Sequence, residues 1–397
     1  MTTLTALANS FGSMATIARR PREIVWFGGL SLGVLAGLAA VVYTLVVGHE
    51  HAYNVSREIP WGILISTYVF FVVSSTGLCL VSSLGDVWGF EKFEIIGRRG
   101  HLLAILTLVT GFGAIAMELN HPIRMGIYAV ISPNFASAIW WMGALYGTYL
   151  ILLSIEFTSL MEGWRRAAYI SGLLGFIAAV SAHSNLGAVF GFLEARHYWY
   201  GPYMPIYFIL SALVSGGAIT PLIVYFNHKA RDRQLSTKYR EFMDAIGKLQ
   251  AMFLGILMFF TTWKVISGLY GQPPGKYEAT MALIAGPLAI NFWFFEVLLG
   301  MLIPFIILMN RYTRTVTGVA MAGVSTLIGI FFMRYDLVIV GQLVPMREDS
   351  GELVDGLLHY TPSLAEAAIV VGAICLCLLL YSAAEKIFDL EGGHRHK

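Results

Sequence analysis

The chain has 397 residues, of which 57% are hydrophobic and only 13% charged. A typical soluble domain carries about 25% charged residues, and a mean hydropathy of +0.70 leaves too little polar surface for a monomer in water. A soluble enzyme and a disordered chain are excluded, and a net charge of +2 offers nothing to nucleic acid. The composition predicts an all-α integral membrane protein.

Ten apolar runs are long enough to cross about 30 Å of hydrocarbon. They cover about 24–47, 60–84, 100–118, 135–156, 166–190, 203–227, 246–270, 283–309, 315–335 and 363–385. The chain then divides into a cytoplasmic N-terminal segment 1–23, a ten-span membrane domain 24–385 and a cytoplasmic tail 386–397. Nineteen Lys and Arg fall on the side of both termini and six on the other, so the positive-inside rule puts both termini in the cytoplasm. Glycine spacings such as Gly29, Gly33 and Gly37, or Gly143 and Gly147, suit close helix packing. Cys79, Cys375 and Cys377 sit in apolar runs without a CxxC pair, which speaks against a disulfide framework or an iron–sulfur cluster borne by this chain.

The non-cytoplasmic loops are acidic and aromatic, as in HYWYGPYMPIY (197–207), and the longest, about 335–362, lies on this side. An interfacial aromatic belt explains such residues as readily as a site does. Ionisable groups inside spans are costly and point to function. His183 lies in span five, Lys264 in span seven and Glu296 in span eight, while Glu118 ends span three just before Asn120 and His121. At about 1.5 Å per residue, His183 and Lys264 share a depth of about 10 Å below the non-cytoplasmic surface, with Glu296 deeper. A Lys264–Glu296 pair that only fixes packing, and a plain interior His183, are the structural alternatives. Only His183 is deep among the histidines, so haem b is not expected.

Three segments carry a resemblance: REIPWGILISTYVFF (57–71), HPIRMGIYAVISPNFASAIWWMGALYGTYLILLSIEF (121–157) and FWFFEVLLGMLIP (292–304). A proline-tryptophan-glycine helix start, then HP-x-R, then PNF before a Trp-rich span resembles the NrfD/PsrC (polysulfide reductase-type) family of integral membrane subunits. The ten spans, His183 with the small residues after it, and YTPSLAEAAI (360–369) look most like its HybB/DsrP/QrcD branch. The sequence departs from the family at MELNHP (117–122), where relatives often show an Asp-Leu-Gly-type segment.

The resemblance implies two four-helix bundles, spans 2–5 and 6–9, with spans 1 and 10 peripheral. It implies a bacterial inner membrane, no protein-bound metal, and a quinone or quinol (menaquinone or ubiquinone) bound near the periplasmic face. An iron–sulfur subunit would dock there, with further redox subunits such as a multihaem cytochrome, a hydrogenase or a molybdopterin enzyme. The residues agree on one point: nothing in the chain stores electrons, yet polar groups cluster beneath one face. Quinone chemistry needs groups that give or take protons and polarise carbonyls. His183, Lys264, Glu118, Trp61 and Tyr146 are the candidate quinone-binding residues. Glu296, Glu156 and Asp86 are candidates for proton transfer, with water held by Ser74, Ser75, Thr76, Ser82 and Ser83. Arg57, Glu58, His121, Arg124 and Arg334 are candidates for partner docking. A structural anchor without its own quinone site and a secondary transporter are the competing readings.

Overall fold

The computed structural model describes residues 21–231, 235–346 and 356–390; the segment before Pro21 and the tail after Leu390 lie outside the described residues. Among the described residues, ten helices are long and apolar enough to cross a membrane. They are α1 (Pro21–Val47), α2 (Ile63–Asp86), α3 (Gly97–Glu118), α4 (Ala138–Glu162), α5 (Arg165–Gly191), α6 (Tyr203–Ala230), α7 (Thr237–Leu269), α8 (Asn291–Met309), α9 (Val316–Leu343) and α10 (Leu364–Ile387). No strand occurs among the described residues. Hydrocarbon offers no hydrogen bonds, so each segment satisfies its own backbone as a helix. Two boundaries differ from the hydropathy reading: α7 begins at Thr237 rather than near 246, and α9 continues to Leu343 rather than stopping near 335. In both cases charged residues depress the hydropathy of helix that is nonetheless continuous.

The chain divides into two compact units, with boundaries between Tyr53 and Asn54 and between Thr361 and Pro362. In the first unit α1 and α10 run antiparallel. Lys386 Nζ lies 2.8 Å from Glu23 Oε2, and the Trp26 indole donates to Ser382 at 3.1 Å. A Cβ on Gly37 would lie 2.7 Å from the Gly372 Cα, so the two backbones touch. Helix α1 buries only Leu30, Gly37 and Thr44. That heptad seam suffices because lipid solvates the rest.

The second unit holds α2 to α9. Helices α2, α3, α4 and α5 each pack on the next, with α5 returning to α2; α6, α7, α8 and α9 do the same. The two sets meet along α2 and α6, whose apolar windows are 83% and 78% buried, against 22% for α4. At their crossing a Cβ on Gly77 would collide with the Ala212 carbonyl, and one on Gly216 with the Gly77 backbone. Helix α2 tolerates its serines because several hydroxyls fold back on the preceding turn, as Ser74 on Phe70 and Ser83 on Cys79, both at 2.8 Å.

Helix α8 is irregular in a useful way. Asn291–Leu302 is π-helical, and the Ile303 N–H bonds the carbonyl of Leu298, five residues back. Pro304 has no N–H, so the Leu299 carbonyl loses the partner this pattern would give it. The Ser325 hydroxyl of α9 supplies one at 2.5 Å. Phe295 stacks on Phe332 at 4.0 Å, and Gly300 lets α8 approach α9 at Gly329. The widened turn leaves Glu296 buried in the bundle.

Gly77→Ala is expected to cost about 1–3 kcal/mol by overpacking. Gly143→Ala, where a Cβ meets nothing within 4 Å, is expected to be neutral or stabilising by about 0.5–1 kcal/mol. Thermal unfolding of the two variants in detergent checks the contrast, and equal melting temperatures would remove the crossing as a packing constraint.

Candidate functional site

The start of α2, the end of α3, the start of α4 and the end of α5 lie at one end of the second unit, here the Trp61 end. The turn at Pro60-Trp61-Gly62 is pinned there from several sides. The Gln342 side chain of α9 accepts from the Trp61 N–H at 3.1 Å and donates to its carbonyl at 2.9 Å. Arg196 donates to the Glu58 carbonyl at 2.7 Å. The Trp61 ring, half-buried, stacks on Trp199 at 5.3 Å, and the Trp199 indole is held by the Leu337 carbonyl at 2.7 Å. Half-buried Glu118 accepts from the Gly62 N–H at 3.3 Å.

Below this turn His183 and Tyr146 are fully buried. The Phe208 carbonyl lies 3.1 Å from His183 Nε2, so this nitrogen carries the proton. Nδ1 is left to accept from the Tyr146 hydroxyl at 2.9 Å. Both ring nitrogens are thereby engaged inside the protein. The Tyr146 hydroxyl is oriented by the ring.

A second cluster occupies α6 to α9. Lys264 Nζ lies 3.9 Å from Glu296 Oε1, 5.0 Å from the centre of the Tyr207 ring and 6.0 Å from that of Tyr198. Burial pushes the Tyr198 phenol, in the loop before α6, up to about 12, so it stays a neutral donor. The structure corrects the expectation for Arg334. It lies inside α9, fully buried, with its guanidinium over the Phe208 ring at 4.7 Å and bonded to the Ser211 hydroxyl. No docking protein can reach it there. Arg334 stands between the two clusters, an electrostatic neighbour of both His183 and Glu296. Asp336, buried one residue beyond Tyr335, completes a set of two basic and two acidic side chains.

From Tyr146 a polar line follows the inner face of α4, whose buried residues include Tyr146, Tyr149, Leu153 and Glu156. Thr76 neighbours Tyr146. The Tyr149 hydroxyl donates to the Ser75 carbonyl at 3.1 Å, and the Ser75 hydroxyl donates to the Ala104 carbonyl at 2.7 Å. Cys79 lies between Tyr149 and Glu156. At the opposite end, here the His101 end, Glu156 Oε1 is 2.9 Å from His101 Nε2, and Asp86 Oδ2 is 3.6 Å from Nδ1.

The structure thus brings Trp61, Glu118, Tyr146 and His183 to one end of one bundle, and Asp86 and Glu156 together at the other. Lys264 and Glu296 meet in the neighbouring bundle. Arg57, Glu58, His121 and Arg124 are exposed at the Trp61 end. The sequence reading missed His101, Tyr149, Gln342 and Asp336. The run FFMRYDLVIV (331–340) held the one usable signal, two charges in an apolar stretch.

Residues 49–346 match the family described as polysulphide reductase, NrfD. The chain is 27% identical over 370 residues to the Hdr-like menaquinol oxidoreductase integral membrane subunit of Archaeoglobus fulgidus, covering 90% of this chain and 92% of that one. It is 26% identical to a selenate reductase subunit of Mesobacillus selenatarsenatis, over 90% and 92% of the two chains. It is also 26% identical to a putative dimethyl sulfoxide reductase membrane subunit of Halobacterium salinarum, over 92% and 91%. With ten membrane-crossing helices and a match across most of its length, the chain is a multi-pass integral membrane protein that belongs to the NrfD polysulphide reductase family.

Proposed function

We propose that this chain is the quinone-reactive membrane subunit of a respiratory oxidoreductase complex in a bacterial cytoplasmic membrane. It links a menaquinone or ubiquinone pool to an iron–sulfur partner docked on the periplasmic face, which we take to be the Trp61 end. The carrying observation is the Tyr146–His183 pair, a dry and oriented hydroxyl beneath a half-buried tryptophan and a carboxylate. A hydroxyl, a carboxylate and an aromatic ring suit a flat ring whose oxygens take up and release protons. The relatives' names support the reading. One names menaquinol and two name reductases with unlike substrates, so what these membrane proteins share suits exchange with the membrane carrier.

A quinone supplies two-electron, two-proton chemistry when bound. In this reading Trp61 packs against the ring and Tyr146 gives or takes a proton at its hydroxyl. His183 fixes that hydroxyl and shares its proton through Nδ1, and Glu118 exchanges protons at the half-exposed rim. Lys264, Glu296 and Arg334 set the local field from the neighbouring bundle. The line from Tyr146 through Tyr149 and Ser75 to Glu156, His101 and Asp86 would carry protons to the cytoplasmic side, with water at the step past Cys79. The engagement of both His183 nitrogens also suits a second reading, an anchor with no quinone site of its own. Quinone extracted in about equal amount with the purified complex supports the first reading, and quinone-free, fully active complex supports the second.

Tyr146→Phe is expected to leave assembly intact and to cut quinone-linked turnover about 10²-fold, the scale of one acid–base group. His183→Ala should do the same. Wild-type rates in both assembled variants would remove the pair from the mechanism.

For the proton line, Glu156→Gln in liposomes with an internal pH dye should slow proton exchange from the His101 side by about 10-fold or more. Unchanged exchange would leave Glu156 as a packing residue.

Cross-linking of the intact complex is expected to join the redox partner to the surface bearing Arg57, Glu58, His121 and Arg124. A partner found only on the Lys229–Lys248 side would refute this docking face.

A further inference from the structure

We propose that Asp86, His101 and Glu156 form a binding site for one divalent transition-metal cation, of which Zn²⁺ is the representative. The contact between His101 and Glu156 needs a cation to hold it, either a proton or a metal ion. His101 Nδ1 lies 2.7 Å from the Gly97 carbonyl and therefore carries its hydrogen there. Nε2 faces Glu156 Oε1 at 2.9 Å. A proton shared by the two holds them together in the metal-free chain, and a metal cation can take that proton's place. Glu156 Oε2 finds no hydrogen-bond donor, and the residue is 0% exposed. Asp86 Oδ2 is likewise without one.

The three donor atoms lie within 4.8 Å of one another. Ligands about 2.1 Å from a common four-coordinate ion lie about 3.4 Å apart, so the widest pair has to close by up to about 1.4 Å. Asp86, with 15% of its side chain exposed, stands at the edge and can swing in. It also marks the way in from the His101 end. The surrounding backbone leaves the carboxylates room: a Cβ on Gly97 would lie 2.5 Å from Asp86 Oδ2, and one on Gly172 2.5 Å from Glu156 Oε1. One imidazole and two carboxylates suit Zn²⁺ with a solvent molecule in the fourth position, and the Nδ1 hydrogen bond to Gly97 supplies the outer contact that orients a ligating histidine.

This departs from the expectation that the chain binds no metal. It does not contradict the absence of a redox centre, since Zn²⁺ has no redox chemistry. An ion here would also close the polar line at its His101 end. That consequence rests on the proton-transfer reading, whereas binding does not, so failure of either leaves the other standing.

The test uses the full chain in detergent or in its complex, with His394→Ala and His396→Ala in the background to remove the tail histidines. The protein is stripped with chelator, incubated with Zn²⁺, desalted and measured for metal content; Co²⁺ replaces Zn²⁺ for absorption spectroscopy. About one Zn²⁺ per chain is expected, with visible Co²⁺ bands of a four-coordinate site. Glu156→Gln, which keeps the side-chain volume, should weaken binding about 10²-fold, and Asp86→Asn at the accessible edge about 10-fold. A background chain that retains no Zn²⁺ would overturn the proposal, leaving a shared proton to hold the pair. So would retention that is equal in the background chain, Glu156→Gln and Asp86→Asn.

Discussion

The close crossing of α2 and α6 at Gly77 and Gly216 is the constraint on which the second unit depends. Lipid provides no hydrophobic drive to bring helices together, so association rests on backbone approach and dispersion contact. With no Cβ at either position, the Gly77 backbone reaches that of Ala212 and Gly216. Because these two helices are the most buried, they can carry polar side chains that no lipid-facing helix could. Ser75, Thr76, Cys79 and Ser82 on α2, and Ser211 and Ser215 on α6, all lie at the interior.

The same constraint explains where the charges sit. An isolated ion in the bundle costs several kcal/mol, and the buried ionisable groups occur in clusters of acidic and basic side chains. Lys264, Glu296, Arg334 and Asp336 form one set, and Asp86, His101 and Glu156 the other. The first stands near the Trp61 end and the second near the His101 end, joined by neutral hydroxyls rather than by further ions. The distance from Tyr146 to Glu156 along α4 is about 15 Å at the helical rise, which puts roughly half the hydrocarbon thickness between the two ends of the line.

The π-helical stretch of α8 shows how a local irregularity is kept. Pro304 removes an N–H, Ser325 from the next helix restores a donor, and Gly300 and Gly329 admit the wider turn. Residues on two helices thus support the burial of one carboxylate, Glu296. Irregular turns cost stability and persist where surrounding packing over-determines them.

Hydropathy alone determined the number of spans, because crossing a bilayer demands a long apolar run whatever the tertiary contacts. The family was legible as well, from PWG, HP-x-R and PNF, and so was the burial of His183, Lys264 and Glu296 within spans. Only the tertiary structure decided what those groups do to one another. His183 was read as a residue facing a ligand, yet its two nitrogens are taken by Tyr146 and Phe208 on different helices. Arg334 was read as a docking residue at the outer end of span nine, because the hydropathy of the run falls off at 335. The structure buries it, since Ser211 and the Phe208 ring, more than a hundred positions away in the chain, surround its guanidinium. His101 was placed at the cytoplasmic end of span three and not counted as a site residue, and the partners that define it come from the end of α2 and from α4. Apolar length is a property of a segment and can be summed along the chain. A site in a helical bundle is a property of several inward faces, and their rotation and register are set by where the backbones can approach.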